Sequence, residues 1–118
     1  MPRYLSLIRV DEQNAPAQQP GPEFEARMGE LFAEVTKAGV MVDTAGLRPT
    51  AEGIRITWSG GSLSSVDGPF TEGKEVIGGY AILQVADLAE AQLWTRRFLE
   101  AHGEYMTVTA ELREIDGA

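Results

Sequence analysis

Hydrophobic positions along the chain switch between a strand period and a helix period, and the order of the switches predicts the elements. Tyr4-Leu5-Ser6-Leu7-Ile8-Arg9-Val10 is a short apolar run with β-branched members and reads as a strand. Leu5 and Leu7 fall on one face and Tyr4, Ser6, Ile8 and Val10 on the other, so both faces want cover. Residues 11–22 hold three prolines, three glutamines and one asparagine with almost nothing apolar, which predicts a surface loop. From Glu23 onward Phe24, Met28, Leu31, Phe32 and Val35 recur as one stripe of an amphipathic helix, a core-facing stripe at this spacing. Pro22 suits its first turn, Glu23 and Glu25 complement the positive end of its dipole, and Lys37 with Gly39 supplies the stop.

Val40-Met41-Val42 predicts a short strand, broken by Gly46-Leu47-Arg48-Pro49. Ile54, Ile56 and Trp58 alternate with Arg55, Thr57 and Ser59, and Gly60-Gly61 turns the chain into Ser62 to Val66, a hairpin. Tyr80 to Val85 is a further strand, with Ala81, Leu83 and Val85 on one face and Tyr80 and Ile82 on the other. Asp87 and Glu90 form a capping box ahead of Leu88, Ala91, Trp94 and Phe98, a second helix running to about Ala101 and ended by Gly103. Met106, Val108, Ala110 and Leu112 alternate with polar residues in a last strand. Strand, helix, short strand, hairpin, strand, helix, strand contains the split β-α-β pattern of a ferredoxin-like sandwich, an α+β fold. At 118 residues the chain is expected to be one domain, 1–118. Two helices cover one face of such a sheet, yet two strands are apolar on both faces. A homodimer with its two sheets packed face to face is the expected solution.

Eighteen acidic residues against ten basic ones give a net charge of −8, a field that repels phosphate backbones and anionic membrane surfaces. Nucleic acid and membrane are therefore not expected partners. No run approaches a membrane span of about 18 apolar residues and the first ten residues lack the shape of a signal peptide, so a cytoplasmic location is expected. With no Cys there is no disulfide, thiol nucleophile or zinc-thiolate site. The one His, His102, falls at the end of the second helix, where an imidazolium suits the dipole, and is placed outside the site. Neither Gly60-Gly61 nor Gly78-Gly79 fits a phosphate loop, and no cofactor is expected. The loop carboxylates lack calcium-loop spacing and Lys74 would compete with a cation, so no metal is expected either. Ser62, Ser64 and Ser65 lack an elbow motif and read as strand surface.

The densest chemistry is the segment from Asp67 through Gly68, Pro69, Phe70, Thr71, Glu72, Gly73 and Lys74 to Glu75. Asp-Gly-Pro alone is turn chemistry, and charges in such loops usually serve solubility. Phe70 is not explained by a turn, since a ring left in water forgoes about 1.5–3 kcal/mol of burial. Asp67-Gly68-Pro69-Phe70 with Glu72, Lys74 and Glu75, then Gly78-Gly79-Tyr80, resembles the signature of the YCII-related proteins of the DGPF-domain type. Ala38-Gly39-Val40, Gly46-Leu47 with Pro49, and Ala89-Glu90-Ala91 with Trp94 extend the likeness over nearly the whole chain. The resemblance implies a ferredoxin-like dimeric α-β barrel of bacterial origin, mostly from uncharacterised proteins, and a pathway linked to extracytoplasmic-function sigma factors. The founding branch carries a His and an Asp proposed as a catalytic dyad, with the His on the N-terminal side. No His precedes His102 here, so that dyad is not expected, and Gly73 stands where the family usually has a larger residue.

Two functions follow from these residues. The first is a small-molecule-binding dimer with a pocket walled by Phe70 and Tyr80 and bordered by Asp67, Glu72, Lys74, Glu75 and Arg48. The alternative is a cofactor-free lyase or isomerase in which Asp67 acts as general base and Lys74 stabilises developing negative charge. Absence of the dyad's His favours the binding protein, and a buried Asp67 with a raised pKa would favour the enzyme. A structural partner for a sigma factor is a third reading, carried by the resemblance alone.

Overall fold

The computed structural model describes residues 1–12, 21–70, 75–103 and 106–117. Among them the elements run β1 (Arg3–Val10), α1 (Pro22–Ala38), β2 (Met41–Gly46), a 3₁₀ turn (Thr50–Glu52), β3 (Ile54–Ser59), β4 (Ser62–Asp67), β5 (Val76–Gln84), α2 (Leu88–Glu100) and β6 (Val108–Glu114). The main sheet is antiparallel in the order β2-β5-β1-β6, and β3 with β4 forms a separate two-stranded ribbon. The units β1-α1-β2 and β5-α2-β6 are each split by one strand of the other. That interleaving is the ferredoxin-like α+β arrangement, with the ribbon inserted between the halves.

Register assigns the faces. Tyr4, Ser6 and Ile8 stand opposite Leu83, Ala81 and Gly79 on β5, and Ser6 and Ile8 stand opposite Leu112 and Ala110 on β6. These positions face the helices. Tyr4, Leu83, Val40, Val85 and Ala91 form the buried core, with Met41, Ala81, Trp94 and Leu112 packed against it. Leu5, Leu7, Tyr80 and Ile82 share the opposite face, which no described helix covers.

The helix ends follow the sequence signals. Gly39 closes α1 at φ 69°, a left-handed conformation that glycine adopts without strain. Asp87 caps α2 by accepting from the Glu90 N–H at 2.9 Å, while Glu90 reaches back to the Ala86 N–H at 2.8 Å. Arg27 donates to the Ala101 carbonyl at 3.0 Å and Arg97 pairs with Glu34, so polar links join the two helices.

Two strands run several residues beyond the sequence expectation through tertiary pairing. β2 runs to Gly46 because Asp43 to Gly46 pair with β5 despite poor strand propensity. β5 begins at Val76, four residues before Tyr80, because β1 pairs along its whole length and draws Gly78-Gly79 into the ladder. The 3₁₀ turn after Pro49 has no periodic signature and was not expected from the pattern. No helix among the described residues is long and apolar enough to cross a membrane.

Candidate functional site

The helix-side floor of the sheet is made of small residues where β1, β5 and β2 meet: Ser6, Gly79, Ala81 and Gly46. Above it the helices offer large ones, Leu31, Phe32 and Val35 from α1 and Trp94 and Phe98 from α2. Small side chains below and a fixed helix layer above leave space between them. The result is a cavity of about 260 Å³. Its inner end is buried at Leu31, Val35, Leu83, Ser6 and Thr95, and the exposed lining residues Phe32, Thr44, Ala45 and Gly46 mark its mouth beside β2. Gly79 permits this geometry, since a Cβ there would stand 3.0 Å from the Ala45 carbonyl oxygen.

The described lining carries no charged side chain. Its polar side-chain groups are hydroxyls and the Trp94 indole N–H, which donates to Glu90 Oε2 at 3.5 Å. The Thr44 hydroxyl donates to the Tyr80 carbonyl at 2.9 Å. Ser6 is 3% exposed and Thr95 8% exposed, and the Thr95 Oγ1 is buried with no hydrogen-bond partner among the described residues.

The sequence candidates stand mostly elsewhere. Asp67 closes β4 opposite Ile54 and is exposed. Gly68 follows with a cis bond to Pro69, and its N–H donates to the Gly53 carbonyl at 2.9 Å. A Cβ on Gly68 would overlap the Thr50 carbonyl oxygen, so the motif's glycine is fixed by docking on the 3₁₀ turn. Phe70 is half-buried beside Gly53, with the Arg55 guanidinium 4.0 Å above its ring centroid, a cation–π contact. Arg48 is exposed and pairs with Glu52 at 3.1 Å. Thr50, in the same turn, donates through both its N–H (2.9 Å) and its hydroxyl to Glu12, and these bonds hold the Glu12 carboxyl below the usual carboxylate range. Glu75 has one buried carboxylate oxygen with no hydrogen bond among the described residues, 4.0 Å from Arg9 Nε. Tyr80 borders the cavity, but by register its ring belongs to the opposite face, where its hydroxyl donates to Asp43 Oδ2 at 2.8 Å. That bond raises the Tyr80 pKa, since ionisation would set two negative charges together. Glu72 and Lys74 lie outside the described residues.

Asp67, Phe70 and Arg48 thus gather around the 3₁₀ turn, and of the described candidates Tyr80 alone borders the cavity. Gly68 joins the end of the ribbon to the turn. His102 closes α2, with Nδ1 2.9 Å from the Phe98 carbonyl and its ring against Phe24 and Phe98, which is the helix-end role expected of it. Among the described residues no group of three or more His, Asp or Glu is placed to hold a metal ion. Sequence reasoning passed over Ser6 and Thr95. Their signal was present, since each is a polar residue at a core-facing position of its element.

The YCII-related domain, as a family model, matches residues 3–108. The chain belongs to the YCII-related family. The match runs from the start of β1 into β6, so every element that lines the cavity of this YCII-related protein lies within the family domain. No curated protein matches the chain.

Proposed function

We propose that this YCII-related protein is a small-molecule-binding homodimer whose ligand occupies the cavity between the helices and the sheet. The observation that carries the reading is the cavity itself: about 260 Å³, an apolar lining and two buried hydroxyls. Ligand sites are typically concave and mostly apolar with a few placed polar groups. A lyase or isomerase acting here would need a carboxylate within hydrogen-bond reach of the substrate, and the described lining holds none. Binding is therefore the better-supported function. The DGPF segment contributes indirectly, by anchoring the connection that leaves β2 at the cavity mouth. Support for the dimer comes from the uncovered apolar sheet face and from the β3–β4 ribbon, whose apolar side chains stand in water. Two sheets joined face to face would give the dimeric α-β barrel.

Native mass spectrometry of the purified protein should show a small molecule that leaves on denaturation. Ala81→Phe, which fills the floor, should lose it while keeping its circular dichroism. A wild-type protein that carries nothing and takes up neither xenon nor ethylbenzene saturably by NMR would overturn the reading.

A further inference from the structure

Thr95 lies on the buried face of α2, one turn after Ala91, and is 8% exposed. A helical threonine usually turns its hydroxyl to the carbonyl three or four residues back. Here it does not. Thr95 borders the cavity, and its buried Oγ1 has no hydrogen-bond partner among the described residues. Buried hydroxyls are rarely left in that state, and a hydroxyl both donates and accepts. Ser6, on the floor of the same cavity, places a second hydroxyl at its buried end. Around them stand Leu31, Val35, Leu83 and Trp94, and the described lining offers no cation to neutralise an anion and no carboxylate to pair an amine. A charged ligand would enter without a counter-charge, in a chain of net charge −8.

We infer that the cavity takes an uncharged, largely apolar molecule bearing one hydrogen-bonding oxygen, a ketone, aldehyde or alcohol, and that Thr95 is the residue that recognises this oxygen. The inference rests on the cavity-binding reading and adds the class of ligand. At about 260 Å³ the site suits a molecule smaller than those held by common drug-sized pockets of about 300–1,000 Å³. A site built to hydrogen-bond an oxygen discriminates strongly against the analogue lacking it, because its own polar group is then left unpaired.

The test is an NMR titration of the full chain with four probes of similar size: ethylbenzene, acetophenone, 1-phenylethanol and benzoate. The indole N–H of Trp94 reports on the cavity, and that of Trp58, the second of the two tryptophans, serves as a reference on the ribbon. Acetophenone and 1-phenylethanol are expected to bind about tenfold more tightly than ethylbenzene, and benzoate not to bind. Thr95→Val, which keeps the shape and removes the hydroxyl, should bring the oxygenated probes to within about threefold of ethylbenzene, while Thr95→Ser should restore most of the difference. Ethylbenzene binding as tightly as acetophenone in the wild type, or a preference unchanged in Thr95→Val, would overturn the role of Thr95 and leave the cavity reading standing. Tight benzoate binding would overturn the ligand class. Failure of every probe to shift Trp94 would remove the cavity reading and this inference with it.

Discussion

Thr95 is the residue at which stability and function are set against each other. A buried hydroxyl without a partner destabilises the fold by about 1–3 kcal/mol, whereas an isosteric methyl in its place does not. Thr95→Val should therefore stabilise the ligand-free protein by about 1 kcal/mol, seen as a melting temperature higher by about 3–5 °C in calorimetry. A lower melting temperature would mean that the hydroxyl is partnered in solution. Glu12 behaves differently. Its carboxylate is held by two bonds from Thr50, so its folded pKa lies below its unfolded one, and the contribution is present above the ordinary glutamate range and lost as pH falls through the folded value. Acid should thus loosen the link between the end of β1 and the 3₁₀ turn, and Glu12→Gln should remove that part of the acid dependence. Proton exchange at the Thr50 amide, followed from pH 6 to pH 3, would show it.

Elements were more legible in the sequence than the site was. The stripe from Phe24 to Val35, the Asp87 and Glu90 box, the Gly60-Gly61 hairpin and the final alternation each carry a local period or cap, and each forms accordingly. The cavity has no such signature. It arises where Ser6, Gly79 and Ala81 from distant strands come beneath Leu31 and Phe98, and no local pattern distinguishes an apolar side chain that fills space from one that borders it. The DGPF motif was expected to build a pocket from its charges and ring; of its described residues, Gly68 is required by contact with a turn that the pattern did not foresee. Gly68→Ala should accordingly destabilise by about 3 kcal/mol through overlap with Thr50, in urea unfolding, although it removes no functional group. Asp87→Ala should lower stability by about 1 kcal/mol by freeing the Glu90 N–H at the start of α2. A Gly68→Ala loss no larger than that of Asp87→Ala would mean that the turn yields easily and that the motif's glycine serves something else.

For the whole molecule the deciding fact is shape. A compact chain of 118 residues has a radius of gyration of about 13–14 Å, and this one has 16.3 Å, spread over 47 × 41 × 18 Å. It is a slab. One broad face carries Leu5, Leu7, Tyr80 and Ile82, and the ribbon aligns Ile54, Ile56, Trp58 and Leu63 on one of its own faces, with Ile56 67% and Trp58 68% exposed. A ribbon of two strands is marginally stable alone in water, so a partner is needed to hold it. The proposed second copy would meet that need by symmetry, because in a two-fold dimer each chain supplies both apolar surfaces to the other, and the slab is wide enough for the roughly 800 Å² per partner of a standard interface. Light scattering should then give twice the chain mass of 12.8 kDa at micromolar concentration. Two chains of charge −8 repel, so added salt should tighten the dimer, the reverse of an association driven by opposite charges. Ile82→Glu sets a charge on the sheet face and Trp58→Glu sets one on the ribbon, and both should yield monomers that keep their helical circular dichroism. Loss of the dimer in Ile82→Glu alone would assign the interface to the sheet and leave the ribbon for another partner. A wild-type monomer at every concentration and salt would remove the dimer altogether and leave the exposed Trp58 without a second copy to cover it.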